Sequence, residues 1–94
     1  MTLKIGDWHF DTADYDAEND VLYLTMGHPR PGYGEETPEG HVARFDAEGA
    51  FCGVTLIGVR ARLDRGDAVD VTLPRRTFPR RECLTGGDLR RVLC

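Results

Sequence analysis

Residues 41–58 constrain the fold most, because two runs of β-forming residues flank a four-residue turn. The turn is Asp46-Ala47-Glu48-Gly49. An aspartate at the first position and a glycine at the last are typical of a type I turn closed by a residue in the left-handed region. We therefore predict that residues 41–46 and 51–58 pair as an antiparallel hairpin.

Alternation of apolar and polar residues predicts further strands on both sides of this hairpin. The clearest is residues 21–26, where Leu22, Leu24 and Met26 share one face. Polar residues at positions 15–20 predict a turn, because Asn and Asp side chains bind nearby backbone groups. The other predicted strands are Leu3–Ile5, residues 8–12 and Val69–Leu73.

Residues 27–40 contain three prolines and four glycines, and this composition predicts a long loop. Residues 59–67 form a charged connector that has room for one helical turn. Near the C-terminus, Thr85 is a good helix N-cap, and Asp88 follows it by three positions. Leu84 and Leu89 have the spacing of a hydrophobic staple, so we predict a short C-terminal helix.

These elements predict a single α+β domain over residues 1–94. Its antiparallel, meander-like sheet has five or six short strands, with the C-terminal helix packed on or beside it. A chain of 94 residues buries one thin core. Such a small sheet leaves an apolar face and open edges that a symmetric partner would cover, so we also expect a homodimer.

The net charge of −4 hides an uneven distribution. Residues 1–59 carry 3 basic and 11 acidic side chains, whereas residues 60–94 carry 9 basic and 5 acidic ones. Two interpretations remain open: the charges belong to solvated or facing surfaces, or the arginines bind an acidic partner. An acidic protein, with a pI near 5.2, argues against nucleic acid as that partner.

The densest basic cluster lies in residues 75–81. Arginine forms paired hydrogen bonds with carboxylates, and an aromatic ring among arginines adds a stacking surface. We predict that a protein partner contacts this segment through Arg75, Arg76, Phe78, Arg80 and Arg81.

Cys52, Cys83 and Cys94 are too widely spaced for a zinc site or a redox motif. The N-terminal residues lack the apolar stretch of a signal peptide. No apolar run approaches the length that crosses a membrane. We therefore expect reduced thiols and a cytoplasmic location.

The acidic residues and histidines do not form a recognisable catalytic or metal-binding motif. Acidic residues alternate from Asp14 to Asp20, but the glycine and glutamate of a calcium loop are missing, so Asp16 and Asp20 are predicted to cap their turn. Glu35, Glu36 and Glu39 would need a partner nucleophile that no motif provides. We therefore expect no enzymatic activity and no cofactor. The alternative is a small-ligand or metal-binding enzyme that uses residues 27–40 and nearby histidines.

The order of several short motifs over residues 15–63 resembles a known family. The motifs are Tyr15-Asp16, Asp20, Val21-Leu22-Tyr23-Leu24, Glu35-Glu36, Gly40, Phe45-Asp46, Gly49, Gly53 and residues 54–57. This pattern is similar to the domain of unknown function 2283, a family of small bacterial and archaeal proteins. The resemblance implies a curled antiparallel sheet.

Some members of that family are encoded beside small toxins, so the resemblance also implies an antitoxin-like role. His41 and Arg44 depart from the family pattern, which is usually aliphatic or acidic at these positions. The arginine-rich tail after Leu63 is longer than the family pattern. The sequence therefore predicts a non-catalytic protein-interaction module, whose partner could be the product of a neighbouring gene.

Overall fold

A five-stranded antiparallel sheet forms the centre of the computed structural model, which describes residues 2–74 and 80–93. Its spatial order is β3-β4-β7-β6-β5. The strands are β3 Thr12–Asp16, β4 Val21–Thr25, β5 Gly32–Glu36, β6 Val42–Asp46 and β7 Phe51–Ile57.

Two small hairpins and two helices complete the described fold. The hairpin strands are β1 Leu3–Ile5 with β2 Trp8–Phe10, and β8 Val69–Leu73 with β9 Arg80–Leu84. The helices are α1 Val59–Asp64 and α2 Gly86–Leu93. The predicted α+β class is confirmed. Neither helix is long and apolar enough to span a membrane, as far as the described residues show.

Alternation along β4 separates the two faces of the central sheet. Leu22 and Leu24 are fully buried, whereas Tyr23 between them is 41% exposed. Leu22 and Leu24 lie opposite Leu56 and Val54 of β7. These four side chains define the inner face, which joins one hydrophobic core with residues of both small hairpins and α2.

The predicted hairpin of residues 41–58 is confirmed as β6 and β7. Asp46 accepts hydrogen bonds from the N–H groups of Glu48 and Ala50 at 3.0 and 2.9 Å. Gly49 has a φ of 84°, which favours glycine. The register shifts between Arg44 and Phe45, so this pair contains a β-bulge.

The predicted strand of residues 8–12 was wrong, because it divides at Asp11: Trp8–Phe10 pairs with β1, and Thr12 begins β3 of the central sheet. Two segments predicted as a loop or a turn were also wrong. The predicted loop of residues 27–40 contains strand β5, because its two interior glycines lie in extended backbone against β6. Tyr15 and Asp16, predicted to lie in a turn, belong to β3 and pair with Leu22 and Val21. In both cases strand pairing outweighed the local preference for a loop.

The C-terminal helix begins as predicted. The Asp88 carboxylate accepts hydrogen bonds from the N–H group and the hydroxyl of Thr85, at 2.8 and 3.0 Å. Leu84 and Leu89 are both buried in the core. Packing of its apolar side against the core therefore stabilises this short helix, because helix propensity alone would not.

Asp20 caps helix α1, and the prediction that it caps its own turn was wrong. Its carboxylate accepts hydrogen bonds from the N–H groups of Arg60 and Ala61, at 2.8 and 3.0 Å. Tyr15 donates its hydroxyl to the same carboxylate at 2.7 Å. Burial opposes ionisation of Asp20, but these hydrogen bonds outweigh it and lower its pKa. Asp16, in contrast, does accept from the N–H groups of its turn, at Glu18 and Asn19.

Replacing Asp20 with alanine should lower the free energy of unfolding by about 2 kcal/mol, because α1 loses its cap and Tyr15 its acceptor. Asp20 also has a φ of 56°, which alanine tolerates poorly. Asp20→Gly should therefore cost about 1 kcal/mol less than Asp20→Ala. Urea denaturation measures both. Asp14→Ala, at an exposed position of β3, is the control and should change stability by less than about 0.5 kcal/mol. Equal stability of all three variants would contradict the capping role.

Candidate interaction surface

The outer face of the central sheet carries a continuous apolar patch. Tyr23, Thr55 and Val42 lie side by side on three neighbouring strands, and Val21 lies beside Ile57 in the adjacent row. Tyr23 and Ile57 are 41% and 42% exposed. We call these five residues the outer patch. Large exposed apolar side chains that adjoin one another are typical of contact surfaces.

Arg44 lies beside the outer patch, and hydrogen bonds to β4 fix its guanidinium. Its Nη2 donates to the carbonyl of Leu24 and, at 3.0 Å, to the hydroxyl of Thr25. Gly53, opposite Arg44 in β7, makes room for the guanidinium: a Cβ there would lie 2.6 Å from Nη2. The position of Arg44 therefore depends on glycine at position 53.

No carboxylate among the described residues balances the charge of Arg44. Both hydrogen-bond acceptors are neutral, and Nε is buried without a partner among the described residues. Burial lowers the pKa of Arg44. An arginine nevertheless keeps its charge in proteins, so this site holds a positive charge without a counter-ion in the described part of the chain.

Arg44 lines an open cavity of about 350 Å³. Thr25, Arg30, Tyr33 and Cys52 also line it. Arg30 bonds to the carbonyls of Met26 and His28 and forms a 3.4 Å ion pair with Asp46, which does not line the cavity. Among the described residues, the cavity lining has two arginines and no acidic side chain.

Among the acidic residues of segment 27–40, Glu39 is the one whose side chain is largely buried. It accepts hydrogen bonds from the N–H group and the hydroxyl of Thr72, at 2.9 and 2.6 Å, and pairs with Arg81 at 3.2 Å. Burial raises the pKa of Glu39, but the bonds from Thr72 outweigh it and bring the pKa to about 2. A carboxylate so acidic is a poor proton donor or acceptor near neutral pH.

The other acidic residues of that segment do not join Glu39. Glu35 and Glu36 are successive, exposed residues of β5, and their side chains point to opposite faces of the sheet. The structure therefore does not bring the three glutamates into one site. It instead uses Glu39 to link the central sheet to the hairpin of β8 and β9.

The three histidines lie on separate elements. His41 is fully buried, and its Nδ1 accepts a hydrogen bond from the N–H group of Ile57 at 3.0 Å. Burial, and next the charge of Arg62, lower the pKa of His41. His9 and His28 are exposed elsewhere. In the portion of the chain that is described, no cluster of three or more metal-binding side chains occurs.

Most of the predicted basic contact segment lies outside the described residues. Arg75, Arg76 and Phe78 are among residues 75–79, and only the backbone of Arg80 is described, as the first residue of β9. Arg81 pairs with Glu39 while its side chain stays 65% exposed. The contact role of this segment remains a prediction.

Comparison with protein families gives one match. The model of the family described as a protein of unknown function, DUF2283, matches residues 13–60, about half of the chain. The chain belongs to the DUF2283 family. No curated protein and no solved structure matches it.

The DUF2283 segment coincides with the central sheet and the start of α1. It contains the outer patch, Arg44 and Gly53, whereas Thr72 and Arg81 lie in the extension that follows. Sequence reasoning noticed Arg44 only as a departure from the family pattern. Its alternation with Ala43 and Phe45 places it on the outer face, but only the register brings it opposite Gly53.

Replacing Glu39 with glutamine should destabilise the protein at neutral pH and much less in acid. The folded pKa of about 2 lies below the ordinary 4.5. The ionised carboxylate therefore contributes stability above pH 4.5 that is lost as the pH falls toward 2. We expect a difference between wild type and E39Q of about 3 kcal/mol at pH 7 and about half of that at pH 3. Urea denaturation at both pH values measures it.

Glu48→Gln is the matched control, because Glu48 is exposed in the β6–β7 turn. That variant should stay within about 0.5 kcal/mol of the wild type at both pH values. A pH-independent effect of E39Q would mean that the Glu39 carboxylate is not held in its ionised form.

Proposed function

We propose that this protein is a non-catalytic interaction module that docks a partner protein on the outer face of its central sheet. The observation that carries the proposal is the outer patch. Tyr23 and Ile57 are each more than 40% exposed, and each lies beside a smaller β-branched residue. A sheet with one packed face and one exposed apolar patch is completed when another surface covers the patch.

The charge of Arg44 favours a partner that places an acidic residue beside it. Arg44 has no counter-ion among the described residues, whereas Arg30 in the same cavity pairs with Asp46. The edge strands border the patch with acidic residues, at Asp14, Asp16 and Glu36, so the attraction is confined to Arg44. A homodimer, which the sequence predicts, would use the same patch on both copies and bring two Arg44 groups toward one interface. We therefore place an acidic partner before a second copy of the chain.

The antitoxin-like role, the cytoplasmic location and the basic contact segment, which the sequence predicts, form part of this proposal. One form of the proposal is the antitoxin-like role that the family implies, in which the partner is a toxin encoded nearby. The cytoplasmic location is supported by the exposed free thiol of Cys83, which suits a reducing compartment. The basic segment of residues 75–81 is a second contact surface, and the exposed side chain of Arg81 supports it.

The enzyme alternative has less support. It needs the carboxylates of residues 27–40 to act as acids or bases, whereas Glu39 is tied to Thr72 and Arg81 with a pKa near 2. A screen of small ligands and metal ions by thermal shift, followed by turnover assays, would favour this alternative if a stabilising ligand were consumed.

The proposal predicts that the double variant Tyr23→Glu with Ile57→Glu loses partner binding by at least tenfold. Two glutamates place charge in the apolar contact, oppose its burial and repel an acidic partner. Pull-down and calorimetry with the neighbouring gene product, together with light scattering of the protein alone, measure the loss. The control variant, Ala17→Glu with Ala47→Glu, adds the same charge at exposed turn positions and should bind normally.

The outcomes separate the possible surfaces and occupants. A dimer in light scattering that the Tyr23 and Ile57 variant dissociates would identify a second copy as the occupant. A complex that survives this variant but is lost in Arg75→Glu with Arg76→Glu would move the contact to the basic segment and overturn the outer-face proposal.

A further inference from the structure

The cavity beside the outer patch has the properties of an anion-binding site. Arg30, Arg44, Thr25 and Tyr33 are among the residues that line it, and Arg30 is already paired with Asp46 at 3.4 Å. No acidic side chain of the described residues lines it, although the whole chain has a net charge of −4. The charge that no described carboxylate balances is therefore that of Arg44, and such a charge attracts an anionic group.

The strands on both sides of Arg44 have a glycine opposite it. Gly34 lies opposite Arg44 in β5, and Gly53 lies opposite it in β7. A Cβ at Gly53 would approach Nη2 to 2.6 Å, and a Cβ at Gly34 would approach Cγ1 of Val42 to 2.7 Å. Gly53 therefore makes room for the guanidinium, whereas Gly34 makes room for Val42 beside it.

The donors of Arg44 are only partly used. Nη2 bonds to the Leu24 carbonyl and the Thr25 hydroxyl, and Nη1 donates to none of the described residues. Nη2 has two N–H groups and makes two hydrogen bonds, so the N–H groups of Nη1 are those left to bind a carboxylate oxygen. A half-buried guanidinium without a counter-ion among the described residues is stabilised when an anion accepts its remaining hydrogen bonds.

We infer that the Arg44 cavity is a carboxylate-binding pocket that receives an aspartate or glutamate side chain of the docked partner. The inference rests on the proposed function, since the pocket adjoins the outer patch and shares Val42 with it. The volume of about 350 Å³ is at the small end of ligand pockets and fits one acidic side chain with its neighbours. The apolar patch supplies contact area, and Arg44 selects the charge.

The pocket can be tested on the isolated protein, without the partner. The probe is N-acetylglutamic acid amide, whose side-chain carboxylate is its only charge, and N-acetylglutamine amide is the neutral control. NMR titration follows the amide signals of Gly34 and Gly53 and the Arg44 Nε–H signal. We expect saturable shifts in the low-millimolar range with the charged probe and none with the neutral one.

Variants at the pocket sharpen the test. Arg44→Gln should weaken binding of the charged probe at least tenfold, and Arg44→Lys should weaken it less, because lysine keeps the charge but not the Nη1 donors. Thr25→Asp, which sets a carboxylate beside Nη2, should also abolish binding by supplying an internal counter-ion. Ala17→Asp adds the same charge on a distant exposed turn and should bind the probe like the wild type.

Several results would overturn the inference. They are an absence of shifts in the wild type, equal binding by wild type and both Arg44→Gln and Thr25→Asp, or tighter binding of inorganic phosphate than of the charged probe. None of these results depends on the outer patch. A partner that binds wild type and Arg44→Gln equally but fails to bind the Tyr23 and Ile57 variant would leave the proposed function standing and remove the carboxylate pocket.

Discussion

Leu22 and Leu24 of β4 lie opposite Leu56 and Val54 of β7, and all four side chains are withdrawn from solvent. This apolar contact is the support on which the two small hairpins and α2 pack. Because side chains alternate along a strand, burying these four residues obliges their neighbours to face outward. The exposure of Tyr23 and Ile57 is thus a consequence of the core, and it creates the surface on which the proposed function depends.

Polar contacts between distant parts of the chain hold the surrounding elements in place. Asp20 reaches across to the first turn of α1, so the turn between β3 and β4 and the end of β7 are tied together. Glu39 does the same for the hairpin of β8 and β9 through Thr72 and Arg81. These two carboxylates join the DUF2283 segment to α1 and to the extension. Hydrogen bonds from these neighbouring groups lower the pKa of both carboxylates.

Arg44 differs from those carboxylates because its charge is left without an opposite charge among the described residues. The fold accommodates it by placing Gly53 opposite it on β7, and this glycine gives up side-chain packing in the sheet. A structure that only needed a stable sheet would be served by an aliphatic residue at this position. The cost is consistent with a group kept for recognition.

Local patterns in the sequence determined the hairpin of β6 and β7, the buried face of β4 and the start of α2, because turn chemistry, alternation and capping act between residues close in the chain. They could not reveal strand β5, whose glycines and flanking prolines predict a loop until β6 provides hydrogen-bond partners. They also missed the contacts of Asp20 with α1, of Glu39 with Thr72 and of Arg44 with Leu24. Each of these joins residues at least 20 positions apart. Only the tertiary structure decided them, because side-chain periodicity shows which face a residue occupies but not which distant group the folded chain brings to that face.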